Sequence, residues 1–109
     1  HEPIGTDKEG NEINLLDILG SDVDQILDEV ELRIQTKKLY RAINEVLKPR
    51  EKVIIELRYG LIDGDLKTQR EIAAILGISR SYVSRIESRA IEKLNKAMCK
   101  IEDVKETHN

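Results

Sequence analysis

The chain has few aromatic side chains: it contains three tyrosines and neither phenylalanine nor tryptophan. A core without large rings has to be built from Ile, Leu, Val and Ala, and this composition favours small packed helices. The charged fraction of 36% fits the solvated faces of such helices. With a length of 109 residues, the sequence therefore predicts an all-α fold of one small domain with an attached arm.

Cysteine is nearly absent as well. Cys99 is the single cysteine, so it cannot form an internal disulfide, and the sequence lacks the Cys/His spacing typical of zinc sites. We expect neither a metal nor another cofactor. No apolar run approaches the roughly 20 residues of a membrane span, and no signal-peptide pattern is present. The expected location is the cytoplasm, without membrane contact.

The net charge is −3, too low for a bulk nucleic-acid binder, but its distribution is uneven. Residues 1–36 carry ten acids and two bases, a charge of −8. Residues 66–100 carry eight bases and three acids, a charge of +5. This asymmetry suggests that the two ends meet different partners, although charge that only keeps the domain soluble is an equal alternative.

Three segments follow from composition and periodicity. Residues 1–22 contain turn formers and too little periodic apolar surface for a core, which predicts an extended acidic arm. Residues 23–99 carry the helical apolar stripes and are predicted to form the domain. Residues 100–109 are polar and are expected to be a flexible tail.

Cap and breaker residues delimit the first helices. Ser21 or Asp22 can cap a helix that begins near Asp24 and ends before Pro49. Pro49 suits the first turn of the next helix, where its missing N–H is not needed. Gly60 fits the left-handed position after the end of that helix.

Residues 68–94 have the spacing of a helix-turn-helix. Thr68 and Glu71 have the form of a capping box, and an apolar run follows. Gly77 can adopt the positive φ that a tight turn requires, and Ala73 lets the two helices cross closely. This pattern predicts a second, recognition helix that is free to enter the major groove of DNA.

The outward face of that helix fits base reading. Ser79 can cap the helix, which we predict to run from Arg80 to about Met98. Arginine can make bidentate contacts to guanine, and serine can contact a base edge or a phosphate. An ordinary solvated face is the alternative. The residues predicted to face the bases are Arg80, Ser81, Ser84 and Arg85.

The same residues resemble a known family. Residues 68–87, TQREIAAILGISRSYVSRIE, resemble the C-terminal DNA-binding module of bacterial RNA polymerase sigma factors, called region 4. The helix that precedes it in that family resembles LKPRE at 47–51 and LRYGL at 57–61.

The arm resembles the linker before region 4, called region 3.2. The matching blocks are EPIG at 2–5, DKEG at 7–10 and LLDIL at 15–19, and they stand in the family's order. Within the family, the chain most resembles the sporulation sigma factors K and E. The resemblance implies a four-helix region 4 module behind an acidic linker.

The resemblance also implies roles and partners. The module would bind the minus-35 element of double-stranded promoter DNA and the β flap of the RNA polymerase core, with β′ nearby, to direct transcription initiation of sporulation genes. The linker would reach the polymerase active centre with Asp17 near its tip, and Arg89 would face an activator; an anti-sigma factor is a further implied partner. The residues implied to contact DNA phosphates are Arg50, Arg58, Lys67, Thr68 and Ser79.

The chain departs from the family at two positions. Primary sigma factors carry an acid and a second arginine where this chain has Ser81 and Ser84, so a different minus-35 sequence is expected. The chain also lacks the parts that melt DNA at minus 10, so it should bind weakly alone.

Two other functions fit parts of the sequence. The output domain of a response regulator has a similar helix-turn-helix, but it does not explain the linker. A protein-interaction module that contacts only polymerase or an anti-sigma factor would not read bases. An enzyme is not expected, because Asp63, Asp65 and the scattered acids of the arm show no catalytic arrangement.

Overall fold

The computed structural model describes residues 8–25 and 28–107 of the chain. All regular structure in these ranges is helical, which confirms the predicted all-α class, and none of these helices is long and apolar enough to cross a membrane. The elements are α1 (Lys8–Ile18), a 3-10 turn (Val23–Gln25), α2 (Glu29–Val46), α3 (Pro49–Arg58), α4 (Gln69–Leu76) and α5 (Arg80–Thr107).

The predicted start of the first domain helix was wrong by several residues. The N-cap of α2 is Asp28, whose Oδ1 accepts a hydrogen bond of 2.8 Å from the backbone N–H of Glu31. The region near Asp24 instead forms the 3-10 turn, where Val23 packs against the buried core. A tertiary contact of Val23 therefore interrupts a segment whose local signals also fit a helix start.

The predicted bounds of α3 are confirmed. Pro49 lies in its first turn, and the Glu51 carboxylate accepts a 2.8 Å hydrogen bond from the backbone N–H of Lys48. The helix ends at Arg58, and Gly60 has a φ of +63°.

The prediction of an extended arm was wrong for residues 8–18, which form α1; residues 1–7 lie outside the described residues. The reason is that α1 uses the core of the domain. Leu15 and Leu16 of α1 and Leu19 just after it are buried, and they belong to one hydrophobic cluster with residues of α2 and α5. An arm with too little apolar surface for a core of its own thus has enough to join an existing one.

Polar contacts of Asn11 and Glu12 also connect α1 to the domain. The Asn11 Nδ2 group donates a 3.0 Å hydrogen bond to the carbonyl of Gly64. The Tyr40 hydroxyl donates a 2.6 Å hydrogen bond to the Glu12 carboxylate. Burial and the Glu12 carboxylate raise the pKa of Tyr40, so this hydroxyl keeps its proton at neutral pH.

The buried side chains form two groups. The large cluster joins α1, α2, the middle of α3 and the second part of α5; it consists of Leu15, Leu16, Leu19, Leu39, Ala42, Ile43, Ile55, Leu61, Ala90, Leu94 and Met98. The small cluster lies under the predicted helix-turn-helix; it consists of Ile54, Ile72, Ala73, Val83 and Ile86. Because α3 and α5 contribute to both clusters, these two helices join the two halves of the fold.

The helix α5 is longer than predicted. It was expected to end at about Met98 and to give way to a flexible tail, but it continues to Thr107. The sequence between these residues contains neither glycine nor proline, so it holds no local signal that ends a helix.

Candidate nucleic-acid interface

The first helix of the candidate site, α4, begins at the predicted capping box. The Thr68 Oγ1 accepts a 3.0 Å hydrogen bond from the backbone N–H of Glu71, and the Glu71 carboxylate accepts one of 2.8 Å from the backbone N–H of Thr68. The hydrogen bond from the Thr68 backbone holds the pKa of Glu71 below its ordinary value. The carboxylate is therefore charged at neutral pH, which suits the N-terminus of a helix.

The turn between α4 and α5 has the predicted geometry. Gly77 lies in the left-handed region, at φ +69° and ψ +34°. The backbone N–H of Ile78 then reaches back to the carbonyl of Ala73 at 3.1 Å, which closes the end of α4. The Ser79 Oγ accepts a 3.1 Å hydrogen bond from the backbone N–H of Tyr82 and so caps α5.

The small cluster fixes the side of α5 that faces outward. Val83 and Ile86 are buried against α3 and α4. Ser81, Ser84 and Arg85 then lie on the other sides of the helix. Accordingly, Ser81 and Arg85 are exposed and Ser84 is half-buried; Arg80, in the first turn, is exposed as well.

These four residues share one concave surface. Together with Gln69 of α4, they line an open concavity at the start of α5. A second concavity beside it is lined by Arg58, Thr68, Gln69, Arg70 and Arg80.

Because Gln69 and Arg80 line both concavities, they form one continuous surface, which we call the arginine surface. It contains four arginines and no acidic residue. Such a surface can attract a polyanion and can also donate directed hydrogen bonds. Its residues are Arg58, Thr68, Gln69, Arg70, Arg80, Ser81, Ser84 and Arg85.

The remaining predicted site residues lie outside these two concavities. Ser79 is exposed at the start of α5, and Lys67 is half-buried just before α4. Arg50 is exposed in the first turn of α3, and Arg89 is exposed one turn after Arg85. Asp17 is exposed near the end of α1, next to the buried Leu16.

Sequence reasoning missed the carboxylate of Glu87, which accepts hydrogen bonds from three side chains. Its Oε1 accepts from Gln69 Nε2 at 2.8 Å and from Arg58 Nε at 3.3 Å, and its Oε2 accepts from the Tyr59 hydroxyl at 2.9 Å. The three donors come from α3, from the residue after it and from α4. No spacing in the sequence indicates this convergence, because it depends on how the helices cross.

The environment of Tyr59 keeps it a hydrogen-bond donor. Burial, followed by the negative charge of Glu87, raises the pKa of Tyr59 to about 12. The phenol is therefore protonated over the physiological range and donates to Glu87.

Sequence reasoning also missed Gln69 and Arg70. Both lie in the first turn of α4, directly after the Thr68 cap, and both line the arginine surface. Their position at the start of a helix-turn-helix was the one signal that could have identified them. In the part of the chain that the structure describes, no group of three or more His, Cys, Asp and Glu side chains could hold a metal ion.

The residues of the helix-turn-helix and of its supporting helix α3 match a known protein family. Residues 45–96 match the family described as Sigma-70, region 4. These residues belong to that family. The match begins at the end of α2, includes α3 and α4, and ends at Lys96 in α5, which confirms the resemblance of residues 47–61 and 68–87 to region 4.

Curated relatives extend this similarity beyond region 4. The chain is 53% identical over 94 residues to an RNA polymerase sigma-28 factor of Bacillus thuringiensis subsp. kurstaki, and 52% identical over 94 residues to the sigma-K factor of Bacillus subtilis. It is 45% identical over 101 residues to a sigma-E factor of Clostridium acetobutylicum.

These alignments cover 86%, 86% and 93% of this chain, so they include residues on the N-terminal side of region 4. They cover 39%, 32% and 43% of the relatives, so the chain spans less than half of their length. No solved structure matches the chain.

Proposed function

We propose that this chain is the promoter-recognition part of an RNA polymerase sigma factor, and that it binds the minus-35 element through α4 and α5. The arginine surface carries this proposal, because it lies at the start of the second helix of a helix-turn-helix within a region 4 domain. In helix-turn-helix proteins that end of the second helix contacts base edges.

The chemistry of the surface supports a division of roles. Arg80 and Arg85 are exposed at the start of α5 and can each contact a guanine through two hydrogen bonds. Ser81 and Ser84 lie beside them and can contact a base edge or a phosphate.

Residues around the base-reading group are suited to the DNA backbone. Arg58 and Thr68 line the adjoining concavity, so they would contact phosphates on one side of the groove. We assign the same contact to Ser79, Lys67 and Arg50. These contacts carry no sequence information, but they fix the position of the helix on the duplex.

The names of the relatives also support the proposed protein partners. Since they are RNA polymerase sigma factors, we propose the polymerase core, including the β flap and β′, as a protein partner. Asp17 would lie in the linker that approaches the polymerase active centre, and Arg89 would face an activator. An anti-sigma factor could cover the same surfaces. The function is regulatory rather than enzymatic, and it belongs in the cytoplasm, with sporulation genes as targets.

The proposal can be tested by transcription from randomised minus-35 elements. The chain would be fused to the remaining regions of the sigma-K factor of Bacillus subtilis, and the sequences that support transcription would be read out. The wild-type fusion should select a defined minus-35 sequence. Arg80→Ala and Arg85→Ala should each relax the preference at one base pair, at a cost of about 1–3 kcal/mol.

Arg41→Ala is the matched control for this experiment. Arg41 is an exposed arginine of α2 that pairs with Glu45, so its loss removes one positive charge outside α4 and α5. It should leave the selected sequence unchanged. Transcription that is independent of the minus-35 sequence, with wild-type and both arginine variants alike, would overturn base reading and favour a protein-interaction module.

A further inference from the structure

The three donors that meet at Glu87 carry a further inference, which rests on the proposed function. We propose that Glu87 is a positioning residue of the DNA interface, whose carboxylate holds the Arg58 guanidinium in place to bind a phosphate of the DNA backbone. Glu87 itself does not contact DNA and acts through Arg58.

The position of Glu87 supports an indirect role. It lies on α5, but its side chain is only 13% exposed, and both of its oxygens accept hydrogen bonds from the protein. It does not line either concavity of the arginine surface. Its negative charge is therefore directed at the donors of α3 and α4 rather than at the surface that DNA would approach.

Arg58 is held at two points of its guanidinium group. Its Nε donates to Glu87 Oε1 at 3.3 Å, and its Nη1 donates to the carbonyl of Lys67 at 3.0 Å. A guanidinium has five N–H donors, so these contacts leave others for a ligand. The side chain is 36% exposed and lines the concavity, which places those donors next to the surface.

An Arg58 side chain that is held in place before DNA arrives should bind a phosphate more tightly than a mobile one. A long side chain loses rotamer entropy when it is fixed, and here folding has already fixed it. A planar guanidinium that is already oriented can bind a phosphate through two hydrogen bonds at a lower entropic cost than a mobile one.

The proposal predicts a change in DNA affinity of opposite sign to the change expected from net charge, which makes it testable. DNA is a polyanion, so the loss of an acid near the interface strengthens binding if only the net charge matters. If Glu87 positions Arg58, its loss weakens binding, because Arg58 is released. The sign of the change in affinity therefore separates the two roles.

The experiment measures binding of the 109-residue chain to two duplexes at low ionic strength, where phosphate contacts are strongest. One duplex carries the minus-35 sequence selected in the transcription experiment, and the other is a scrambled sequence of equal length. Glu87→Gln keeps the shape of the side chain and removes its charge. We expect it to weaken binding to the selected duplex about tenfold.

Glu92→Gln is the matched control. Glu92 is an exposed acid on the same helix, five residues further along, and its loss changes the net charge by the same amount. It should bind DNA as tightly as the wild type or more tightly.

A double-mutant cycle tests the route through Arg58. Arg58→Ala should weaken binding, and Glu87→Gln should have little further effect in that background, because the residue it positions is gone. Tyr59→Phe removes one donor to Glu87 without a change of charge and should weaken binding about threefold. Tyr59→Phe serves as the test if Glu87→Gln does not fold. Unfolding curves establish that each variant is folded at the temperature of the binding experiment.

Three results would count against the proposal. Binding of Glu87→Gln as tight as that of the wild type overturns it, and so does a loss of affinity that is the same with and without Arg58. If Glu87→Gln does not fold, unchanged binding by Tyr59→Phe overturns it. Failure of the wild-type fusion to select any minus-35 sequence in the transcription experiment would instead overturn the proposed function, and this inference with it.

Discussion

The two buried clusters of this fold are built from sequence in different ways. The small cluster draws on residues between Ile54 and Ile86, and local signals fix the geometry above it: a capping box, a left-handed glycine and a serine cap. The large cluster joins Leu15 to Met98, so its helices are held together by contacts between distant parts of the chain. The half suited to DNA contact is therefore specified by local sequence, whereas the half that holds α1 is specified by tertiary packing.

The largest expected effect comes from the α1 side of the large cluster. Leu16→Ala should lower the free energy of unfolding by about 3 kcal/mol, because Leu16 is fully buried and its truncation leaves a cavity. The measurement is equilibrium unfolding in urea. Leu66→Ala, at an exposed leucine of the loop before α4, is the control and should cost less than about 0.5 kcal/mol. Equal small losses for both variants would mean that α1 does not belong to the core.

Only part of this fold and of its site was predictable from the sequence. The capping box, Gly77, the Ser79 cap and the outward arginines were all predictable, because each depends on residues at most a few positions apart. The helix α1 was not, because its leucines are buried in a cluster whose other members lie far along the chain, in α2 to α5. The Glu87 contacts were missed for the same reason, since their donors come from separate helices. Local spacing was thus enough to predict the helices, caps and turn of the site, but the contacts between the helices could be seen only in the structure.

An intermediate effect is expected at the ion pair between α3 and α5. The buried Glu51 accepts hydrogen bonds of 2.9 and 3.0 Å from Lys93. Burial alone would raise the pKa of Glu51, but the hydrogen bonds from Lys48 and Lys93 outweigh it and hold the pKa below 4.5. Glu51→Gln should therefore cost about 2 kcal/mol at neutral pH, less than for a fully buried pair because Lys93 is partly exposed.

The same pair has a pH dependence of known sign. Because the pKa of Glu51 is lower in the folded than in the unfolded chain, the stability it provides is present above the unfolded value of about 4.5 and is lost as the pH falls through the folded value. Unfolding curves recorded from neutral to acidic pH should show a smaller acid loss for Glu51→Gln than for the wild type. Glu45→Gln, at the exposed pair with Arg41, should leave that loss unchanged. Identical profiles for all three proteins would contradict the assignment.

The smallest expected effect is the difference in stability between alanine substitutions at two glycines, one in each half of the fold. Both Gly60 and Gly77 have positive φ, so alanine is strained at each, at a cost of about 1 kcal/mol. A Cβ at Gly77 would meet no atom within 4 Å, whereas one at Gly60 would lie 2.7 Å from Asn11 Nδ2 and 3.0 Å from the backbone carbon of Gly64. Gly60→Ala should therefore destabilise the protein by about 1 kcal/mol more than Gly77→Ala does in thermal unfolding. Equal costs would show that α1 and the loop move aside without resistance.

The helix α5 spans 28 residues and is about 42 Å long, and it passes from one cluster to the other without a break. A rotation of α5 about its axis therefore moves both halves together. The rotation angle that places Leu94 in the large cluster also sets the direction of Arg80 and Arg85. A change of side-chain volume near Leu94 or Met98 that turns the helix by part of a residue step would redirect those arginines. If the arginine surface reads DNA as proposed, its sequence preference can thus evolve through positions that lie outside that surface.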